Sequence, residues 1–384
     1  MPRRKLISLV AVWIGLVVAL LPVFFQWQPT AVSGGRAGRL RLDSAYLLAA
    51  LLAFLLYRLE RKRGSRQRAF ALVLLVVLAT LWTNSVHRYY VDKGSVRAEQ
   101  SNFAWQVEIQ REVMRLSPSV APHSYRFLPN SLVRWLELAG FDYESARDIY
   151  RLFLNLLLFY ALLRYALLFT DDTGALLALL LVAAVYPVSF EYYSGQLTDP
   201  LSHLSFLLAF IFLETEEFAF FLTALVIGSL AKETVLALAG YYVLFQRRES
   251  HYLPKALLAC GASAAAYLGV RALVVHGAGS YRYEQVSGVS PAHALANWQG
   301  GRWQALFALT ALALVPFLIV AWKTTPASLK RLALYLLPVL FVSSLFFGWL
   351  FEARNYMPLF FVLAVVAGRY LSTLTRASGP EKAA

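Results

Sequence analysis

Five polar strings in this chain hold the residue types used by acid–base and phosphate chemistry. Asp92 and Glu99 stand ahead of the first, Tyr125-Arg126-Phe127-Leu128-Pro129. The second runs from Glu191 to Pro200 and carries Asp199; in the third, Lys232 is followed by Glu233. Tyr281-Arg282-Tyr283-Glu284 is the fourth, and Glu352, Arg354 and Asn355 make the fifth. A carboxylate can act as general base on an acceptor hydroxyl. Guanidinium and ammonium groups stabilise phosphate oxygens as negative charge develops on them. The set therefore suits departure of a phosphate-bearing leaving group. Asp92 and Glu99 are the candidate catalytic carboxylates and Arg126, Lys232, Arg282 and Arg354 the candidate phosphate ligands, with Asp199, Glu233, Glu352 and Tyr281 in support. A divalent cation, Mg or Mn, is compatible with Asp92, Glu99 or Asp199 and a donor phosphate. No His/Cys/Asp set has zinc spacing.

Each string also has a plainer reading. Thr198-Asp199-Pro200 is an ordinary helix start, with a capping side chain and proline in the first turn. Lys232 and Glu233 can pair with one another at a turn. Glu352 and Arg354 can anchor a helix at a membrane interface, and Tyr125 and Phe127 can make Arg126 part of an interfacial belt. Loop carboxylates such as Asp92 and Glu99 are most often solvated. What favours chemistry is that all the strings fall at the same end of the elements that carry them.

Those elements are apolar helices. Of 384 residues, 59 % are hydrophobic and 15 % charged, and the mean hydropathy is +0.56. A soluble domain carries about a quarter charged residues, and several runs exceed the roughly 18 apolar residues of a membrane span. The pattern predicts an all-α, polytopic bundle of about twelve helices: 7–27, 43–58, 69–86, 151–169, 174–190, 199–213, 218–231, 234–245, 254–275, 303–322, 332–350 and 356–373. The first follows Arg3-Arg4-Lys5 and is too long for a typical signal peptide, so it is expected to be retained.

Arg58, Arg61, Lys62, Arg63, Arg66 and Arg68 form the densest basic cluster and are expected in the cytoplasm of a bacterial cell, with both termini. Arg247 and Arg248, then Lys323, Lys330 and Arg331, fall on the same side. Arg36, Arg39 and Arg41 disagree, coming out on the outer face. The polar strings then gather on that outer face. The net charge of +14 is spread over short connectors, not along a stripe with aromatics, which argues against nucleic acid. The single cysteine, Cys260, excludes disulfides within the chain.

Residues 218–231 and 234–245 are too short to cross about 30 Å of hydrocarbon at 1.5 Å per residue. They are expected to form a hairpin with Lys232-Glu233-Thr234 at its tip. The connector 87–148 is long enough to hold structure of its own. Residues 103–116 and 131–138 within it have the spacing of interfacial helices. A second outer loop, 276–302, is rich in Gly, Tyr and His. No glycine-rich phosphate loop or dinucleotide fingerprint is present. ATP and nucleotide sugars lie on the wrong side of an outer-face site, so an activated donor would arrive in the membrane as a lipid-linked phosphosugar.

This layout, a membrane helix followed by a long acidic outer loop with interfacial helices and then a short hairpin, resembles the C-type (GT-C) integral-membrane glycosyltransferases. Tyr-Arg-Phe-Leu-Pro (125–129), Thr-Asp-Pro (198–200), Ala-Lys-Glu-Thr (231–234) and Glu-Ala-Arg-Asn-Tyr (352–356) carry the likeness. It implies a two-helix addition over 1–68, a GT-C-like module over 69–275 and a variable module over 276–384. In that superfamily an acidic residue early in the first outer loop is the base. Asp92 and Glu99 match it here, Glu99 better because Gln100 and Phe103 follow; the paired acidic motif of many members is missing. The implied reaction is inverting transfer of a sugar from a polyprenyl-phosphate carrier to a glycan, lipid or protein acceptor at the outer face. Two other readings stay open. A transporter or flippase would place ionisable groups near the bilayer midplane, where this sequence has almost none. A non-catalytic relative assisting envelope assembly would look the same in sequence.

Overall fold

The computed structural model describes residues 36–94, 106–111, 125–193, 195–278, 291–300 and 314–377, with side chains over 46–89, 106–111, 125–190, 195–272, 291–300 and 314–376. Among the described residues every regular element is helical. Helix α1 spans Arg36–Arg61 and α2 Arg66–Gly94; after a helical turn at 106–111 come α3, Phe127–Leu138, and α4, Tyr143–Ala166. Asp172–Val185 forms α5, Thr198–Glu214 α6, Phe218–Ala231 α7, Ala237–Phe245 α8 and Tyr252–Ala278 α9. The last elements are α10 (Pro291–Gln299), α11 (Val315–Val320), α12 (Ala327–Phe347) and α13 (Met357–Ala377).

Six helical stretches among the described residues are long and apolar enough to cross a membrane: Arg66–Tyr89, Tyr143–Ala166, Asp172–Phe190, Tyr252–Ala272, Ala327–Phe347 and Ala353–Arg376. The expected first helix lies outside the described residues, as does most of 303–322. Helix α6 has 17 residues, and α7 has 14. The hairpin has the expected form, with Lys232 extended between α7 and a 310 turn, Glu233–Leu236, that leads into α8.

Boundaries differ from expectation at several places; helix α2, for one, continues to Gly94, eight residues past the expected end at 86, and so takes in Asp92. Helix α4 begins at Tyr143, not 151, because Asp142 caps it: the Ser145 backbone N–H donates to Asp142 Oδ1 at 2.9 Å. That capping bond holds the Asp142 carboxyl below its ordinary range against the opposing effect of burial. Arg36, Arg39 and Arg41, expected in a connector, belong to the helix that continues to Arg61. The expected loop 276–302 contains α10.

Helix α13 lies at the centre. Its side chains are buried from Met357 to Gly368 on all faces, the pattern of a helix enclosed by others. It packs on α5 through two glycines. A Cβ built on Gly368 would sit 2.2 Å from the Gly174 carbonyl oxygen and 3.0 Å from the Ala178 nitrogen, so bare backbone sets the interaxial distance, as small residues do in membrane bundles. Helix α5 starts on the Asp171 cap, which accepts from Gly174 N at 2.9 Å. At the hairpin, Gly228 has Ser205 and Val235 against it, both under 3 Å from a built Cβ, and this draws the tip onto α6.

Candidate functional site

The hairpin tip, the start of α6 and the turn before α13 meet at one end of the bundle. The backbone N–H of Lys232 closes α7 by donating to Gly228 O, and its side chain turns to α6. Lys232 Nζ donates to Asp199 Oδ1 at 2.7 Å and to Asn355 Oδ1 at 2.8 Å. The other oxygen, Asp199 Oδ2, accepts from Arg354 Nη1 at 2.6 Å. Arg354 Nη1 also donates to Gln196 Oε1 at 2.5 Å, and its Nε and Nη2 hold Glu352 Oε2 at 3.1 and 2.7 Å. Asp199 is 0 % exposed, Arg354 3 % and Lys232 4 %. Buried charges survive when paired and hydrogen-bonded, and every charge in this group is.

Arg126 and Glu233 form the next layer, with Nε to Oε2 at 3.2 Å and Nη2 to Oε1 at 2.6 Å. Burial opposes ionisation of Glu233, but the Arg126 guanidinium outweighs it and holds the carboxyl down at about 2. Arg126 is also near enough to Arg354 and Asp199 for their charges to act on it. Arg126 Nη1 and one proton of Lys232 Nζ have no bonding partner among the described residues.

His203, one turn into α6, links the network to the core: Nε2 lies 3.0 Å from Arg354 O and Nδ1 3.2 Å from the Tyr186 hydroxyl. The approach to α6 is gripped from α4. Arg147 Nη2 donates to Gly195 O at 3.0 Å, Tyr150 hydroxyl to Leu197 O at 2.9 Å, and Arg151 to Gln196 O. Gln110 Nε2 reaches Gly195 O at 2.8 Å.

The structure thus brings together six of the residues singled out by type: Arg126, Asp199, Lys232, Glu233, Glu352 and Arg354. Three plain readings need correction. Asp199 does not cap its helix, since α6 starts without a side-chain cap and the carboxylate is spent on two cations. Lys232 and Glu233 do not pair with one another; each bonds a different helix. Glu352 is 6 % exposed and packs inward with Arg354, so neither is an interfacial anchor. Asp92 lies on the last turn of α2, with its side chain outside the described residues. Glu99, Tyr281 and Arg282 lie outside the described residues. Sequence inspection passed over Arg147 and Arg151, and it assigned no role to Gln196 or Asn355, although each of these two stands within three positions of a residue it did select.

As a metal ligand Asp199 does not fit, because both its oxygens face cations. No group of three or more His, Cys, Asp or Glu is placed to hold a metal ion among the described residues. The three cations are matched by three carboxylates, Asp199, Glu233 and Glu352, and the donors left over for an incoming anion are Arg126 Nη1 and one Lys232 proton. Compared with known proteins, the chain matches no family model and no curated protein.

Proposed function

We propose that this protein is a membrane glycosyltransferase that moves a sugar from a polyprenyl-phosphate donor to an acceptor at the outer face. One observation supports the reading above the others: Arg126, Lys232 and Arg354 converge with Asp199 at the tip of the short hairpin. The donor phosphate would lie against Arg126 Nη1 and the remaining Lys232 proton, which stabilise the leaving group as the glycosidic bond breaks. Asp199, bonded to Lys232 and Arg354, would position both cations. Glu99 or Asp92 would take the acceptor proton as the hydroxyl attacks the anomeric carbon, with inversion there. Charge at a helix end, not midway along the spans, weighs against a transporter.

The test supplies the full chain in lipid vesicles with labelled polyprenyl-phosphate sugars and candidate acceptors, and measures release of polyprenyl phosphate. Release by wild type that Glu99→Gln or Asp92→Asn abolishes while donor still binds is the expected result. Donor binding without release in any variant would replace the proposal with a binding role. Neither binding nor release would bring the transporter reading forward.

A further inference from the structure

At the opposite end of the bundle lies a cleft of about 1200 Å³, walled by the starts of α2 and α5 and the ends of α4 and α13. Five arginines line it: Arg63, Arg66, Arg68, Arg164 and Arg376. Behind it sits Glu60, 0 % exposed, and this carboxylate organises the wall. Glu60 Oε1 accepts from Arg164 Nη1 at 3.1 Å, Arg63 Nη1 at 3.3 Å and the Tyr160 hydroxyl at 2.9 Å. Arg68 spans from Glu60 to Asp172, donating to both oxygens of Asp172 at 2.7 Å. Arg376 pairs with Asp171. Five arginines against Glu60, Asp171 and Asp172 leave two positive charges over. One is Arg66, which is exposed and makes no ion pair or side-chain hydrogen bond among the described residues.

Two spans begin at this cleft, at Arg66 and Asp172, and two end there, at Ala166 and Arg376. The cleft therefore stands where the chain leaves hydrocarbon, at the depth of lipid headgroups. The surface beside it is apolar and outward-facing, with Phe70 57 % and Leu374 47 % exposed. Excess guanidinium charge, a polar cleft at headgroup depth and an apolar flank are the three requirements for seating an anionic lipid between helices.

We propose that this cleft binds a phosphate group, carried by an anionic phospholipid whose acyl chains lie along the Phe70 flank. This site is independent of the one at the hairpin tip.

The test uses the full chain in non-ionic detergent, with bound lipid counted by native mass spectrometry. The probes are phosphatidylglycerol, phosphatidylcholine and inorganic phosphate. Wild type is expected to retain phosphatidylglycerol over phosphatidylcholine. Arg66→Gln, alone and with Arg376→Gln, is expected to lower that preference by about tenfold, the worth of one charge-assisted bond. Arg58→Gln, a charge loss at the same end but outside the cleft, is expected to leave it unchanged. Phosphatidylglycerol held against millimolar phosphate supports the lipid source; displacement by phosphate supports the phosphate site with a soluble source. No preference in wild type, or a preference that survives Arg66→Gln and Arg376→Gln together, overturns the proposal.

Discussion

Lys232 Nζ lies 2.7 Å from Asp199 Oδ1, and this ion pair joins the hairpin tip to the start of α6 where both side chains are almost fully buried. Asp199 also answers Arg354, so one carboxylate balances two cations from different parts of the chain. Removing it leaves Lys232 without a carboxylate partner and Arg354 with Glu352 alone. Asp199→Asn keeps the shape and is expected to destabilise the protein by roughly 3–5 kcal/mol, read as unfolding in detergent. Adding Lys232→Met should cost less than the sum of the single changes, with a coupling of about 0.5–3 kcal/mol. Strict additivity would mean that the pair contributes nothing.

The Arg126–Glu233 pair predicts a pH dependence. The folded carboxyl is held at about 2, below its ordinary 4.5, with burial opposing and Arg126 prevailing. A lowered carboxylate stabilises the fold fully above its unfolded value, and the contribution fades as pH falls from about 4.5 towards 2. Glu233→Gln lacks that contribution at neutral pH. The stability gap between wild type and Glu233→Gln should therefore shrink on acidification through this window. A gap that stays constant down to pH 3 would contradict the pairing.

Much of this arrangement was legible beforehand and some was not. The hairpin, the apolar spans and the cations Arg126, Lys232 and Arg354 follow from run length and from the rarity of charge in an apolar chain. The start of α4 was misjudged because Arg147, Asp148 and Arg151 lower the local hydropathy, although Asp142 three places before Ser145 is a cap signal. The partners of Asp199 were not legible for a different reason. They stand 33 and 155 positions away, and no local pattern encodes that. Gln196 and Asn355 fall inside the polar strings, but they carry no charge, so residue type alone gives them no role there. Glu99, Tyr281 and Arg282 rest on the sequence argument alone.

The close packing of α5 on α13 predicts opposite outcomes at two glycines. Gly368→Ala places a methyl group 2.2 Å from the Gly174 carbonyl oxygen, which is backbone and can move only with its helix. Overpacking of this kind is expected to cost about 1–3 kcal/mol. Gly261, in α9, has nothing within 4 Å of a built Cβ. Gly261→Ala should be neutral or stabilising by up to about 1 kcal/mol through helix propensity. Thermal unfolding of the two variants side by side decides it; equal losses would remove the contact argument.

Asn297, in the helix α10 that hydropathy did not foresee, closes the end of α12. Its Nδ2 lies 3.0 Å from Ser344 O, 3.2 Å from Leu345 O and 3.1 Å from Gly348 O, and its Oδ1 accepts from Leu350 N at 2.9 Å. Carbonyls at a helix end lack intrahelical partners, and here one amide serves several of them while also receiving the chain that leads to Arg354. Asn297→Ala leaves these groups unmet and is expected to destabilise by about 1–3 kcal/mol. Asn297→Asp should be worse, since a carboxylate offers acceptors where carbonyls require a donor. The same substitution tests a link to the candidate site. Loosening Leu350 frees the turn that carries Glu352 and Arg354, so donor binding should weaken in Asn297→Ala at temperatures where the fold is intact. Unchanged binding there would show that Asp199, Gln196 and Glu352 hold Arg354 in place without Asn297.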